Sequence, residues 1–460
     1  MSFDVDAVGV RNARRIPIHR TLPRLIRDPF GALQAIAEEA DGEVVRLELG
    51  WFRPYLVTNP DHVQHVLRDN VDNYVRDGQG LFWRPIRRLL GEGILADGPV
   101  WEASRRNLQP LFSAKHVESL VDSMADMIAA AVDDLDRYAR EGTPIDAGAE
   151  MSRIVHLTVI KVFFRDRITV EQAERMVPAL DTIATSIAFR LLLPFVPNAV
   201  PLPGDRAFRR AVRTIDEIVF PIVRECRRDP GDGDDIVATL CRARGADGQP
   251  LTEQQVRDDV VTMFGAATET TGVLLTWLWP VLQAHPEVAG RLYAEVDQVV
   301  GSDRVRREHL AGLGYTRMVL DELLRLYPSG WLFPRTAVAG DVIGGVRLRP
   351  RATVLISPFL TQRLDAHWAD PLEFRPDRFE PGVSGHVHRY AYFPFGGGPH
   401  QCIGKHVFLV EAQLIVAAML SRFRPRLASQ AMPGPQVAAS LRPASEVRMT
   451  LLPVQRTLAA

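Results

Sequence analysis

Residues 393–409 read FPFGGGPHQCIGKHVFL. Three consecutive glycines and a proline precede one cysteine, and an apolar run of helical character follows it. A phosphate loop of the type GxxxxGK[ST] does not fit: five residues separate Gly398 from Gly404, and His406 stands where Ser or Thr should bind magnesium. Structural zinc needs a cluster of ligands, and Cys402 has only His400 and His406 nearby, with no second thiolate. A cysteine used only for packing would have no need of the glycines.

A thiolate ligand fits better. A free thiol titrates near pH 8.5, so at neutral pH it needs help to ionise. A metal provides that help, and so do the unpaired N–H groups at the start of the helix expected over about 403–421. Glycines let the loop turn sharply and bring backbone donors close to the sulfur. Such hydrogen bonds tune the electronics of a haem iron. One axial thiolate, with the other ligands supplied by a porphyrin, accounts for a lone cysteine.

The rest of the chain is compatible with a soluble enzyme. Its 460 residues are 46% hydrophobic and 24% charged, with 55 basic and 56 acidic side chains. That balance gives no support for a nucleic-acid partner. Cys226, Cys241 and Cys402 are too few and too scattered for a disulfide framework, which points to a reducing compartment. No signal peptide and no run of about 20 apolar residues opens the sequence. The expectation is a cytoplasmic monomer without a membrane span, with residues 1–30 a solvated leader and 31–460 one catalytic domain.

Residues 43–58 alternate like a β-hairpin. From about 101 to 330 the pattern is helical. HVESLVDSMADMIAAAVDDLDRYAR (116–140) reads as one amphipathic helix, and residues 253–286 as a longer, central one capped by Thr252. After residue 331 come short strands with Gly-containing turns, then a loop over roughly 361–401 that ends at the cysteine. This predicts an α+β fold, mostly α, with a small β region.

Phe395-x-x-Gly398-x-x-x-Cys402-x-Gly404 resembles the haem-binding signature of the cytochromes P-450, the haem-thiolate monooxygenases, in its soluble bacterial form. The resemblance implies the P-450 fold, haem b with Cys402 as its axial ligand, and O2 as co-substrate. The family's Arg two positions before the cysteine is His400 here, a weaker and pH-dependent donor to a haem propionate. Glu322-Leu323-Leu324-Arg325 resembles the family's ExxR. The same spacing occurs at 43–46, 102–105, 150–153 and 225–228, where an ordinary helix pair is the simpler reading. Position separates 322–325 from these, because strands and then FRPDRF (374–379) follow it. The resemblance implies that Arg378 locks against Glu322 and Arg325 and holds the cysteine loop beneath the haem.

Ala266-Ala267-Thr268-Glu269-Thr270-Thr271 resembles the family's oxygen-binding stretch, with Ala267 in place of a glycine. A mid-helix threonine ordinarily bonds back to the carbonyl four residues earlier. The resemblance instead implies that Thr270 opens the helix locally and hydrogen-bonds dioxygen, while Glu269 relays protons. Trp101 and Arg105 match the family's WxxxR, and Arg335 stands at its place for another propionate ligand.

The implied reaction inserts one oxygen atom from O2 into a substrate by hydroxylation or epoxidation. Electrons are expected from NAD(P)H through a ferredoxin reductase and a ferredoxin, which Arg105, Arg106, Lys115 and Lys405 would dock. Residues expected to line the pocket are Phe82, Trp83, Ile86, Phe189, Leu192, Phe264, Ala267, Thr271, Trp331, Leu332, Phe333 and Leu441. Most are large and apolar, which suggests a bulky hydrophobic polyketide, macrocycle or terpenoid. The alternatives are a haem-thiolate peroxygenase or oxidative coupling enzyme and, in a different class, a non-catalytic haem sensor.

Overall fold

In a computed structural model of the chain, residues 10–50, 52–76, 87, 90–165, 167–192, 204–229, 231, 233–383, 388–436 and 438–454 are described. The chain divides into two compact units. The first comprises Met1–Gly80, Leu324–Glu373 and Pro381–Cys402. The second comprises Leu81–Leu323, Phe374–Glu380 and Ile403–Ala460.

The first unit is built on a six-stranded sheet. Its order is Arg14–Ile16, Val45–Leu47, Tyr55–Val57, Thr353–Ile356, Phe333–Ala337 and Tyr74–Val75. Val45–Leu47 and Tyr55–Val57 pair antiparallel, as the expected hairpin requires. Val57, Val354, Ile356 and Ala337 are buried on it with Tyr74, Tyr390 and Phe393. Part of the expected leader joins the sheet. Arg14–Ile16 pairs in parallel with Val45–Leu47, and Ile16, after two exposed arginines, supplies one buried residue to the sheet.

The second unit is helical. Glu253–Ala284 is its central helix, and Thr252 closes a capping box with Gln255. The helices Ala147–Phe163, Asp205–Arg228 and Lys405–Arg422 pack on it. The stretch 398–422 is long and apolar enough to cross a membrane, but 67% of that window is buried in the fold, as in a core helix. The single helix expected over 116–140 is two, Ala114–Asp133 and Asp136–Glu141. Asp133 and Asp136, poor helix formers, both pair with Arg422 at the break, and Leu135 is buried there.

Candidate functional site

In the first unit, Cys402 is exposed at the end of its loop, and its N–H donates to the Phe395 carbonyl at 2.8 Å. Gly396 and Gly398 sit at φ +69° and +65°, the left-handed region that favours glycine. Gly398 is also needed for contact: a Cβ there would collide with the Leu67 carbonyl, and one on Gly397 with the Tyr390 ring. The glycines therefore turn the chain and let it lie against its support. Phe395 is partly exposed, and His400 is half-buried in the turn Gly398–His400.

Arg335 lies in the strand Phe333–Ala337, 7% exposed, with Nη1 donating to the Pro334 carbonyl at 2.8 Å. Trp331, Leu332 and Phe333 precede and open this strand with part of their surface free. The Ser357 hydroxyl fixes the Trp331 carbonyl at 2.6 Å, and the Phe333 and Phe393 rings pack 6.4 Å apart.

Arg325 is fully buried in this unit. Nη1 donates to the carbonyls of Gln362 (2.8 Å) and Pro371 (2.7 Å), and Nη2 to that of Glu373 (3.1 Å). Gln362, also fully buried, extends the network. Its Nε2 donates to the Arg325 carbonyl at 2.9 Å, and its Oε1 accepts from the Phe393 N–H at 2.9 Å. Arg325 is thus tied through Gln362 to the first residue of the cysteine segment. Gln362 was not anticipated: in FLTQRL it is one polar residue among several, and only the tertiary contact gives it meaning.

In the second unit, Glu322 is fully buried and accepts from Arg378 Nε at 3.3 Å and from the Arg375 N–H at 2.8 Å. Of the lock expected on Glu322 and Arg325, the pairing of Arg378 with Glu322 is present. Trp101 and Arg105 lie on the helix Gly98–Leu108, both partly exposed. Beside Arg105, the Ser104 hydroxyl donates to buried Asp259 on the central helix at 2.6 Å. Burial pushes the Asp259 carboxyl up to about 6, against the hydrogen bonds from Ser104 and the Ile94 N–H.

Between Val256 and Leu282 the central helix shows surface only at Gly265, Ala266, Ala267, Glu269 and Thr270. That window coincides with the predicted oxygen-binding stretch. The helix does not open there. It is continuous from Glu253 to Ala284, and the Thr270 hydroxyl donates to the Ala266 carbonyl at 3.1 Å. The local opening expected of Thr270 is corrected by this ordinary helical back-bond.

Glu269 is held from the C-terminal hairpin. Its Oε1 accepts from Arg442 Nη2 at 2.7 Å and from the Ser440 hydroxyl at 2.8 Å, and Arg442 also reaches Asp181 at 3.0 Å. A second carboxyl lies on the other side of the threonine pair. Glu411, on the helix Lys405–Arg422, is completely buried, and burial pushes it up to about 8 against one hydrogen bond from Thr271. Its Oε1 has no partner among the described residues. A carboxylate in VFLVEAQLIV (407–416), where Gln413 is the one other polar residue, was the available signal for Glu411.

Phe264, Thr271 and Leu441 are 0%, 2% and 0% exposed, so they are core residues here and line no open surface. The Leu441 carbonyl accepts from Trp277 Nε1 at 2.7 Å, which fixes that turn inside the fold. Ala267 is on the accessible window. Phe82, Trp83 and Ile86 lie outside the described residues. Phe189 and Leu192 are in the helix Val170–Leu192, and their side chains lie outside the description. Among the described residues, no group of three or more His, Cys, Asp or Glu is placed to hold a metal ion.

A helix-rich fold with a small sheet, an exposed thiol in a glycine-built loop and a buried Glu-x-x-Arg defines a protein of the haem-thiolate class. Residues 12–450 match the family model Cytochrome P450, and the chain belongs to that family. It is 29% identical to pentalenene oxygenase of Streptomyces avermitilis, over 95% of each chain. It is 32% identical to cyclooctat-9-en-7-ol 5-monooxygenase of Streptomyces melanosporofaciens, over 89% of this chain and 88% of that one. Cyclooctatin synthase of the same organism is 31% identical over 94% and 91%. The crystal structure of the cytochrome P450DA heme domain superposes with a TM-score of 0.85 at 24% identity, covering 96% of this chain and 98% of that one. Family membership implies haem with a cysteine thiolate, and O2.

Proposed function

We propose that this chain is a monooxygenase that inserts one oxygen atom from O2 into a cyclic terpenoid, using haem b and electrons passed from NAD(P)H through a ferredoxin reductase and a ferredoxin. The observation that carries the reading is the exposed Cys402 sulfur in a loop whose glycines serve turn geometry and close contact. The terpenoid class rests on the names of the three Streptomyces relatives.

The residues present fit a haem. Cys402 offers an accessible thiol two residues after a half-buried histidine, and Arg335 is a buried guanidinium suited to a carboxylate. Cys402 would be the axial ligand, with Arg335, His400, Trp101 and Arg105 as donors to the propionates. When bound, the haem supplies the activation of dioxygen and the transfer of its atom.

The chain's own part is placement and proton control. Thr270 must release its hydroxyl from the Ala266 carbonyl to donate at the accessible window. Arg442 and Ser440 hold Glu269 by Oε1, so the clasp from the C-terminal hairpin orients the acid and a relayed proton would pass by Oε2. Glu411 stands behind Thr271 as an uncharged acid at neutral pH.

Spectral titration of the ferric protein with a panel of cyclic terpenes and terpene alcohols, followed by mass analysis after turnover with a ferredoxin system, tests the proposal. A substrate-induced spin change and a product heavier by one oxygen are expected. Equal product from peroxide alone would favour a peroxygenase. A Soret spectrum unresponsive to every compound, with no product, would favour the sensor.

A further inference from the structure

Residues His65–Asp69 form a single π-helical turn, in which the Asn70 N–H donates to the His65 carbonyl five residues back at 2.8 Å. Such turns are rare and are found frequently at functional sites. Two features of the first unit meet at this one. The Leu67 carbonyl, in the middle of the turn, lies so close to Gly398 of the cysteine loop that a Cβ there could not fit. The turn is also gripped at both ends by one carboxylate. Asp341 Oδ2 accepts from His65 Nε2 at 2.8 Å, from Asn70 Nδ2 at 3.0 Å and from the Tyr74 hydroxyl at 2.6 Å, while Oδ1 accepts from the Val342 N–H at 2.8 Å.

We infer that Asp341 is a positioning residue for the haem-thiolate ligand: it fixes the π-turn whose Leu67 carbonyl supports Gly398, and so sets the place of the Cys402 loop. This rests on the haem-thiolate reading of Cys402.

The physical argument has three steps. A loop built of glycines has little stiffness of its own, so the sulfur position must be imposed by what the loop lies on. One face of that support is a main-chain carbonyl, and no side-chain change at Leu67 can move it. Its position is set by the turn. The turn in turn has one carboxylate at both ends, anchored to the strand Asp341–Ile343 by its own backbone contact. Burial alone would raise the Asp341 carboxyl, yet the hydrogen bonds from Tyr74, His65 and the Val342 amide outweigh it and hold the group below the usual range, as expected of an anion that four donors have been gathered to bind. Tyr74 is itself buried in the strand Tyr74–Val75 of the main sheet. The clamp therefore transmits the rigidity of the sheet to a loop that lacks it.

The test uses the full chain loaded with haem and reads ligation, not turnover. In D341A the reduced carbon monoxide complex is expected to shift from the thiolate-type Soret band toward the thiol-type band. Haem transfer to a scavenger globin should be about tenfold faster, the scale of losing an outer support of a metal ligand. D341N keeps one acceptor oxygen and should recover part of the thiolate band. H65A removes one donor, leaves Asn70 and Tyr74 on Asp341, and serves if D341A does not fold. G398A strikes the same contact from the other side, so D341A should add little on a G398A background. A D341A protein with lower thermal stability but an unchanged Soret band and haem transfer rate would overturn the inference, as would additive effects of D341A and G398A. Absence of the thiolate-type band in the parent protein would instead sink the haem-thiolate reading itself.

Discussion

The cysteine loop and the window of the central helix are both stretches of about ten residues, but they are held by opposite means. Around Cys402 the chain has almost no side chains of its own to lean on. Its shape comes from left-handed glycines and from neighbours, Leu67, Tyr390 and the Gln362 amide, that press or bond against the main chain. Around Thr270 the backbone is a regular helix that needs no outside help, and only the side chains are engaged: Thr270 with Ala266, Glu269 with Arg442 and Ser440. A site fixed through its backbone presents one geometry. A site fixed through side-chain bonds has alternatives within a rotamer change. The first suits a permanent ligand and the second suits groups that must move protons.

The contrast is broken most directly at Cys402. Cys402→Ala removes the one atom the loop exists to place, and the expected result is complete loss of the thiolate-type carbon monoxide spectrum with the helical content unchanged by circular dichroism. Retention of that spectrum would falsify the assignment of the loop. At the window the expected loss is large but incomplete. Thr270→Ala should lower product per electron pair on the order of 100-fold, the usual worth of a positioned proton donor, with the missing electrons recovered as peroxide. Because the helix stays continuous without the hydroxyl, the thermal midpoint should hardly change. An unaltered ratio of product to peroxide would show that the back-bond to Ala266 is all the hydroxyl does.

The same difference explains what was legible in the sequence. The loop could be read because its requirements are local: Phe395, Gly398, Cys402 and Gly404 stand at fixed spacing, and few other chemistries need glycine there. The hairpin at 43–58 and the cap at Thr252 were legible for the same reason, as turn and capping preferences act over a few residues. Gln362, Asp341 and Ser104 were not, since each acts on residues 20 or more positions away and looks ordinary beside its neighbours, and Glu411 interrupts an apolar run but takes its role only from Thr271 on another helix. Thr270 is ambiguous in sequence because the residue types that bond dioxygen and those that bond back to a carbonyl are the same. The break at Asp134–Leu135 depends on Arg422, far along the chain.

Arg442 offers a finer cut. Among the described residues Arg442→Ala leaves Glu269 with Ser440, and the partly exposed ion pair contributes at most about 1 kcal/mol to stability. Stability should therefore fall little. If the arginine orients Glu269 for the relay, the dependence of turnover on pH should shift, and the solvent isotope effect on turnover should change in step. A variant that loses stability but keeps the parent's pH profile would assign Arg442 to packing.

The effect expected at Glu411 is a change in the slope of stability with pH, not of activity at one pH. The ordinary glutamate value is 4.5, while the folded protein holds this carboxyl protonated to about 8 because burial penalises its charge. Between those limits the folded state keeps a proton that the unfolded chain releases. Stability from this group is therefore present at low pH and falls as pH rises through the window, by up to about 1.4 kcal/mol per pH unit. Glu411→Gln keeps the size and can accept from Thr271, but it does not titrate. The stability of the parent minus that of the variant, from urea unfolding at a series of pH values, should decline from pH 5 to pH 8 and then level off; taking the difference cancels every other titrating group. A flat difference would mean that water reaches Glu411 and that the charged form is tolerated. The two carboxyls beside the threonine pair would then be alike, and the distinction between a clasped acid on one side and a neutral one on the other would be lost.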